Sequence, residues 1–389
     1  MARLGELVEQ IRGVSYKPSD LRTSDDNDGV MLLRANNIQD GEIVLNDVLY
    51  VSKDKINKKQ YLRKGDILVC TSSGSKDLVG KAAFVADDLP CVFGAFCKVV
   101  RPRVDYPKYI GYFFQSPYYR NRISDASAGA NINNLRTEHI DDLTINMPSL
   151  DEQRKIAAVL DKISDLAAKR SRQLDKLDEL VKSRFVEMFG DPVINEKNWP
   201  KYKISDFATV KIGPFGSMLH ADDYVRGGHP MVNPSHISDG VIIPDFSLSL
   251  NVQKQEELVA YQLLPGDVII GRRGEIGRCA VVKKSGMFCG TGCMFVRIFK
   301  DCRPDYLQRV ISYPTFSSIL EDKAVGVTMK NLNAGMVEDS NVYLPPLSMQ
   351  DKFASFRAQV DTLKLRIGSS VDKLDTLKKS LMQEYFSVR

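Results

Sequence analysis

Two stretches of the chain carry a helical stripe much longer than any other periodic segment. After Pro148, Ile156, Leu160, Ile163, Ala167, Leu174, Leu177, Val181 and Met188, with Arg170 and Arg184 at intervening turns, alternate at four and three residues, the spacing of a coiled-coil seam. Phe353, Phe356, Val360, Leu363, Ile367, Leu374, Leu377 and Leu381 do much the same near the C-terminus. Ser149-Leu-Asp-Glu152 has the form of a capping box that starts the first helix, and Ser348-Met-Gln-Asp351 reads as the start of the second. Arg170 and Arg184 read either as polar positions that set the register of the seam or as side chains whose stems lie over it while their heads reach water. A helix of about 38 residues is roughly 57 Å long, and such a stripe cannot stay exposed, so the two helices are predicted to bury their stripes together. The connector over residues 190–200 reaches at most about 35 Å, too short to bring the chain back, which predicts antiparallel helices with a globular head at either end of a helical bar.

The heads have a different pattern. Short β-branched runs such as Asp66-Ile-Leu-Val69 and Val268-Ile-Ile270 are bounded by glycine and polar clusters, which predicts strands and turns. One helix per head is expected, over about 107–124 and 304–321, each with a proline in its first turn, where the missing N–H costs least. Asp66 and Asp267 follow glycines and read as turn residues rather than catalytic acids. The expected fold class is α+β: two mixed α/β domains separated by a long antiparallel two-helix coiled coil, as a pseudo-two-fold repeat. The expected boundaries are 1–147 for the first head, 148–190 for the central helix, 191–200 for the linker, 201–344 for the second head and 345–389 for the C-terminal helix.

The duplication is legible directly. With Asn134-Leu135 laid over Asn331-Leu332, the same register lays Leu150 on Leu347, Gln153 on Gln350, Asp175-Lys-Leu-Asp178 on Asp372-Lys-Leu-Asp375 and Phe189 on Phe386. Upstream, with a drift of a few residues, Leu33-Arg-Ala-Asn-Asn-Ile-Gln-Asp-Gly41 answers Val232-Asn-Pro-Ser-His-Ile-Ser-Asp-Gly240, and Gly80-Lys-Ala-Ala-Phe-Val85 answers Gly277-Arg-Cys-Ala-Val-Val282. So long a period indicates a duplicated domain plus connector rather than a solenoid.

Composition narrows the classes. The 389 residues are 43% hydrophobic and 26% charged, enough apolar content for a core in each head. No apolar run approaches the ~18 residues of a membrane span and no basic-then-apolar leader follows Met1, so a cytoplasmic protein is expected. Cys70, Cys91, Cys97, Cys279, Cys289, Cys293 and Cys302 are odd in number and sit mostly among apolar residues, which suits reduced, buried thiols. No CxxC pair exists and the four histidines lack metal-ligand spacing, so no metal site is expected. The net charge of +5 leaves a polyanionic partner to be met by local patches.

Three motifs hint at an enzyme and fail on context. Gly271-Arg-Arg-Gly-Glu-Ile-Gly277 lies between two apolar runs and reads as strand–turn–strand, with no helix N-terminus to hold a phosphate. Gly74 to Lys81 has the wrong spacing for a P-loop. Asn233-Pro-Ser-His236 lacks the second proline and the aromatic of an amino-methyltransferase motif. No catalytic set is expected, and no cofactor in this chain.

What remains are polar, glycine-spaced loops at matching places in the two heads. The first head offers Arg34, Asn36 and Asn37, then Ser73, Ser75 and Lys76, then Asn131, Asn133 and Arg136. The second offers Asn233, Ser235 and His236, then Arg272 and Arg273, then Thr328, Lys330 and Asn331. These side-chain types read base edges or grip phosphates: Arg or Lys on guanine, Asn on adenine. The loops recur in register while their residues differ, as expected of one scaffold reading two different words.

Pro148-Ser-Leu-Asp-Glu-Gln153, running on to Ile163, together with the duplication, Glu187-Met-Phe-Gly190 and Asn198-Trp-Pro200, resembles the specificity subunit of type I restriction–modification systems over essentially the whole chain. The second copy departs at Met349, where the family prefers Glu. The resemblance implies two target recognition domains, each reading half of a split, asymmetric sequence in double-stranded DNA, with the helices setting the spacing. It implies a non-catalytic subunit that docks methyltransferase subunits, two of them expected, and restriction/translocase subunits. S-adenosylmethionine, ATP and magnesium would belong to those partners. The rival expectations are a self-contained DNA methyltransferase or nuclease, and a protein-binding coiled-coil scaffold.

Overall fold

A computed structural model of the chain describes residues 1–126, 133–215, 218–326 and 330–387. The chain divides into two compact units, Met1–Gln173 with Ile367–Arg389, and Leu174–Arg366.

In the first unit the run Ile67–Cys70 is apolar at every position because both faces of its sheet are covered. Ile67 and Val69 point into a core shared with helices, whereas Leu68 and Cys70 point into a core shared with a second sheet, as the two-residue period of a strand requires. The central sheet has the order Ala82–Phe84, Ile67–Cys70, Cys97–Pro102, Val8–Arg12, all antiparallel. The second sheet has the order Cys91–Phe93, Gly29–Leu33, Leu49–Ser52, Leu21–Arg22, and its first pair is parallel. The second unit repeats the plan. Val268 and Ile270 face the helical core and Ile269 faces the other sheet. Its central sheet runs Ala208–Ile212, Cys293–Ile298, Val268–Gly271, Cys279–Val281, and His229–Val232 again pairs in parallel with Met287–Cys289. Each unit is therefore a helix layer, a central sheet and a second sheet.

Asp66 and Asp267 are turn residues, as read from the sequence. Asp66 accepts the N–H of Arg63 at 2.8 Å and binds Arg101 through both carboxylate oxygens at 2.7 and 2.8 Å. Asp267 does the same with Leu264 (2.8 Å) and Arg297 (2.8 and 2.7 Å). Both carboxylates are almost fully buried, and bidentate pairing with backbone donors satisfies them.

The helix layer corrects one expectation. Where one helix per head is predicted, two form: Pro107–Phe113 then Pro117–Ala126, and Pro304–Ile311 then Pro314–Lys323. Pro117 and Pro314 cause the break, since a proline pushes the preceding residue out of the α region; Tyr313 is extended, at φ −73° and ψ 133°.

The long helices span Leu150–Phe189 and Leu347–Phe386, 40 residues each. Ser149 caps the first, accepting the Glu152 N–H at 3.3 Å. The second begins one residue before Ser348, so the predicted cap there is corrected: the position matching Ser149 is Pro346, and Ser348 lies inside the first turn. Gln153 and Gln350 are both buried and fold back on the carbonyls of Pro148 (2.9 Å) and Pro345 (2.8 Å), which gives this matched pair a local job at the start of each helix. Ile156, Leu160, Ile163, Phe353 and Val360 are buried as predicted, and Arg170 stays in solvent bonded to Gln173. Leu363 and Leu377, expected on the seam, are 46% and 47% exposed. A strict heptad drifts by about 20° per repeat on a straight helix, and burial passes instead to Phe185, Phe189, Met382 and Phe386.

Those four residues close the cores of the heads. In the first unit Phe386 stands 5.1 Å from Tyr109 and 6.0 Å from Phe113, in a core shared with Ile156, Ala157 and Leu160. In the second, Phe189 and Phe185 pack on Tyr306 at 5.0 and 5.7 Å and on Phe353 at 5.6 and 5.5 Å. Asp178 pairs with Lys364 at 2.6 Å. Within this unit the helix segments thus run in opposite directions, and in the first the start of one meets the end of the other.

All seven cysteines are free and buried. Burial pushes the thiols of Cys91, Cys279 and Cys293 up to about 12. Among the described residues no helix is long and apolar enough to cross a membrane.

Two outcomes are expected. Phe386→Ala removes an aromatic from a closed core and should cost about 3–5 kcal/mol, read as a lowered urea midpoint. Because the buried thiols stay protonated while unfolded ones ionise, the unfolded chain binds fewer protons above its thiol pKa near 9, so stability should fall as pH rises from there toward about 12. Urea midpoints measured at pH 8 and pH 10 should show the decline, and Cys91→Ala should reduce its slope.

Candidate nucleic-acid interface

The first of the predicted loops leaves strand Gly29–Leu33 as a tight turn, Ala35–Asn37. Asn37 is fully buried; its Oδ1 accepts the Arg34 N–H at 2.8 Å and its amide donates to the carbonyls of Val44 (2.8 Å) and Asn46 (2.7 Å). Arg34 and Asn36 lie side by side and both donate to the Asp47 carboxylate, at 2.8 and 3.0 Å. In the second unit strand His229–Val232 leads into the same turn, Pro234–His236, where the His236 ring nitrogen accepts the Asn233 N–H at 3.2 Å in the role of Asn37. Asp40 and Gly41 follow at φ 48° and 84°, matched by Asp239 and Gly240 at 49° and 76°.

The other two loops meet in the structure. Ser72–Ser73 pairs antiparallel with Asn133–Asn134, and the Leu135 N–H donates to Thr71 at 2.8 Å. In the second unit Arg273 is bridged to Asn331 and the Leu332 N–H donates to Arg272 at 3.0 Å. A turn that the sequence reading missed ties these to the first loop. Gly94 N–H donates to Leu33 (2.9 Å) and Phe96 C=O accepts from Thr71 N–H (2.8 Å); Gly290 donates to Val232 (2.9 Å) and Gly292 accepts from Arg272 (3.0 Å). Its signal was available: Gly94-Ala-Phe-Cys97 and Gly290-Thr-Gly-Cys293 recur at matching positions. Beside the first turn, Ala35, Asn36, Ile38, Leu78 and Lys81 line an open groove of about 420 Å³.

Each unit therefore gathers its predicted loops along one polar edge. Ser75, Arg136, Ser235, Arg273 and Lys330 are exposed there, and Ser73, Asn233 and His236 are half-buried. Ser73 accepts the Ser75 N–H at 3.2 Å, and Arg136 precedes helix Thr137–Asp141 as its cap residue. Asn331 is half-buried, and its side-chain oxygen and Arg34 Nε are buried without a partner among the described residues. Asn131 and Thr328 lie outside the described residues, as do the side chains of Lys76 and Asn133.

Two candidates hold the loops rather than project from them. Asn37 has no free polar atom to offer a base. Arg272 is 6% exposed and donates to the carbonyls of Leu332 (3.2 Å) and Thr291 (3.4 Å). Burial, with the neighbouring Arg273 charge, lowers its pKa from the ordinary arginine value. No group of three or more metal-ligating side chains occurs among the described residues.

The sequence matches the type I restriction modification DNA specificity domain twice, over residues 1–177 and 196–372. The chain belongs to this family. Its relatives include the type I restriction enzyme EcoKI specificity subunit of Escherichia coli (strain K12), 27% identical with 99% of this chain and 88% of the relative covered. Another is the StySPI specificity subunit of Salmonella potsdam, 25% identical over the same shares. Among solved structures, a chain from a study of assembly and conformational transition in the type I R-M system superposes with a TM-score of 0.60 at 17% identity, covering 99% of this chain and 96% of that one. The type I S subunit from M. genitalium gives 0.52 at 14%, covering 100% and 96%. These likenesses concern the fold, a two-domain repeat of mixed helix and sheet.

The division between holding and projecting residues is testable. Asn37→Ala strands the Arg34 N–H and two carbonyls and should cost about 1–3 kcal/mol, whereas Arg273→Ala, on an exposed side chain, should stay within about 0.5 kcal/mol. Urea denaturation of the two variants checks both.

Proposed function

We propose that this chain is the non-catalytic DNA-recognition subunit of a type I restriction–modification complex, with two target recognition domains that each read one half of a split, asymmetric sequence in double-stranded DNA. One observation carries the reading. The two units share a hydrogen-bonded loop scaffold, yet at equivalent positions it presents Arg34 against Asn233, Asn36 against Ser235, Ser72 against Arg273 and Arg136 against Asn333. Arg pairs with guanine O6 and N7, and Asn with adenine N6 and N7; a constant backbone with changed donors and acceptors is what two words on one scaffold require.

The recognition heads are residues 1–147 and 201–344, and the helices at 148–190 and 345–389 with the linker 191–200 form the connector. Contacts come from Arg34, Asn36, Ser73, Ser75, Arg136, Asn233, Ser235, His236, Arg273, Lys330 and Asn331, and the sequence adds Lys76, Asn131, Asn133 and Thr328 as candidates. Asn37 and Arg272 position them. The methyltransferase subunits, two per chain, would bring S-adenosylmethionine, and the restriction/translocase subunits ATP and magnesium. Leucines left exposed on the long helices favour a docking role: Leu166 and Leu377 in the first unit, Leu180, Leu363 and Leu365 in the second. The small net charge of +5 implies weak DNA binding by the isolated chain, since phosphate neutralisation supplies much of the affinity.

Replacing residues 1–147 with the corresponding head of a relative should change one half of the methylated word and leave the other intact, read by sequencing modified adenines in cells with and without the gene. A change in both halves would reject independent readout.

A further inference from the structure

On the reading that the polar edge of the first unit meets DNA, we infer that Phe96 is a further specificity-determining residue, whose ring packs against the apolar edge of a base in the first half of the target. The ring is 71% exposed, an unfavourable place for a large aromatic unless something covers it. Its backbone is held firmly. The carbonyl of Phe96 accepts from the N–H of Thr71 (2.8 Å) and of Ser72 (3.2 Å) and from the Thr71 hydroxyl (3.1 Å), and Cys97 N–H closes the turn onto Gly94 at 2.9 Å. From behind, Gly13 approaches so closely that a Cβ there would meet the Gly94 carbonyl at 2.1 Å. The ring is thus carried by a fixed turn whose backbone is tied both to the end of the strand before Arg34 and to the start of the Ser72–Ser73 strand.

The second unit supplies the contrast. Its equivalent turn, Gly290-Thr-Gly-Cys293, keeps the closing bond from Cys293 N–H to Gly290 (3.0 Å) and the bond from Arg272 N–H to Gly292 (3.0 Å), but has Gly292 where the first has Phe96. A Cβ built on Gly292 would stand 2.8 Å from Pro234 Cδ, so the turn there cannot carry a side chain unless Pro234 shifts. At the position of Pro234 the first unit has Ala35. The smaller residue removes that clash, so the first head can carry the aromatic on this turn, whereas the second could do so only if Pro234 moved. Phenylalanine has no hydrogen-bonding group, and its natural target is an apolar one such as the thymine methyl.

The test uses the chain assembled with its methyltransferase subunits, on duplexes carrying the sequence methylated by the wild type. Phe96→Ala should weaken binding to that duplex about tenfold, with Phe96→Leu retaining part of the affinity. The dependence on salt should not change, because no phosphate contact is lost. Uracil substituted for thymine at one position of the first half should weaken the wild type and leave Phe96→Ala unaffected, whereas substitutions in the second half should affect both equally. Unfolding midpoints of the variants should match the wild type. If Phe96→Ala binds as the wild type does while Arg136→Ala and Ser73→Ala weaken readout of the first half, the inference about the ring is wrong and the reading of the edge stands. If none of the three alters that readout, the edge itself is misassigned. A loss in Phe96→Ala with no sensitivity to uracil anywhere in the first half would also overturn the methyl contact.

Discussion

The core of each unit is closed by an aromatic that its own globular segment does not supply. Tyr109 and Tyr306 occupy the same place in the two halves, and each donates its hydroxyl to a carbonyl just before a long helix, Asn146 at 3.0 Å and Tyr343 at 2.6 Å. Against Tyr109 packs Phe386, from the end of the second long helix; against Tyr306 packs Phe189, from the end of the first. Burying a side chain of this size contributes on the order of 2–3 kcal/mol, and both residues are almost completely buried. The N-terminal end of one helix and the C-terminal end of the other therefore belong to each core. Neither globular segment is closed without a helix that the other half of the sequence encodes, and the long helices are part of the folding units rather than tethers between them.

With stability placed in these cores, the loops at the polar edge can vary. The central sheet leaves little freedom, because alternate residues of Ile67–Cys70 or Val268–Gly271 face different cores and both faces are filled. The loops are instead held by polar groups that do not depend on exposed side chains: Asn37 inside one and Arg272 beneath another. Buried polar atoms are tolerated because they are paired. Where the second unit has His236 for Asn37, a ring nitrogen replaces the amide oxygen and still accepts the backbone N–H. The holding positions keep their acceptor while the projecting positions change.

Much of this was legible in the sequence because the duplication acts as an internal comparison. The matched Gly-Asp pairs marked the turns at Asp66 and Asp267, and the matched polar loops marked the edge. What was not legible depends on tertiary placement. Residue type cannot separate Asn36 from Asn37: the two are adjacent and chemically identical, yet one faces outward and the other is enclosed. Arg272 and Arg273 pose the same problem. The seam failed at Leu363 and Leu377 for another reason, since spacing on a helix gives a face but not what covers it, and Phe185 and Phe386 are buried by the heads together with the partner helix. Pro117 and Pro314, by contrast, were readable as breaks from local chemistry alone, because a proline restricts the residue before it.

The two edges also constrain which side chains each can carry. In the second unit Pro234 sits over the turn that carries Gly292, with its Cδ 2.8 Å from where a Cβ would stand, and the residues matching the two in the first unit are Ala35 and Phe96. A head that acquired an aromatic on this turn would first need a small residue in the loop above it, and a head that rigidified the loop with proline would need glycine below. Packing thus couples Pro234 to Gly292, although the two lie far apart in sequence. Loops tied by backbone hydrogen bonds are free to exchange donors and acceptors singly, but an apolar side chain on the turn is limited by packing between the loops themselves.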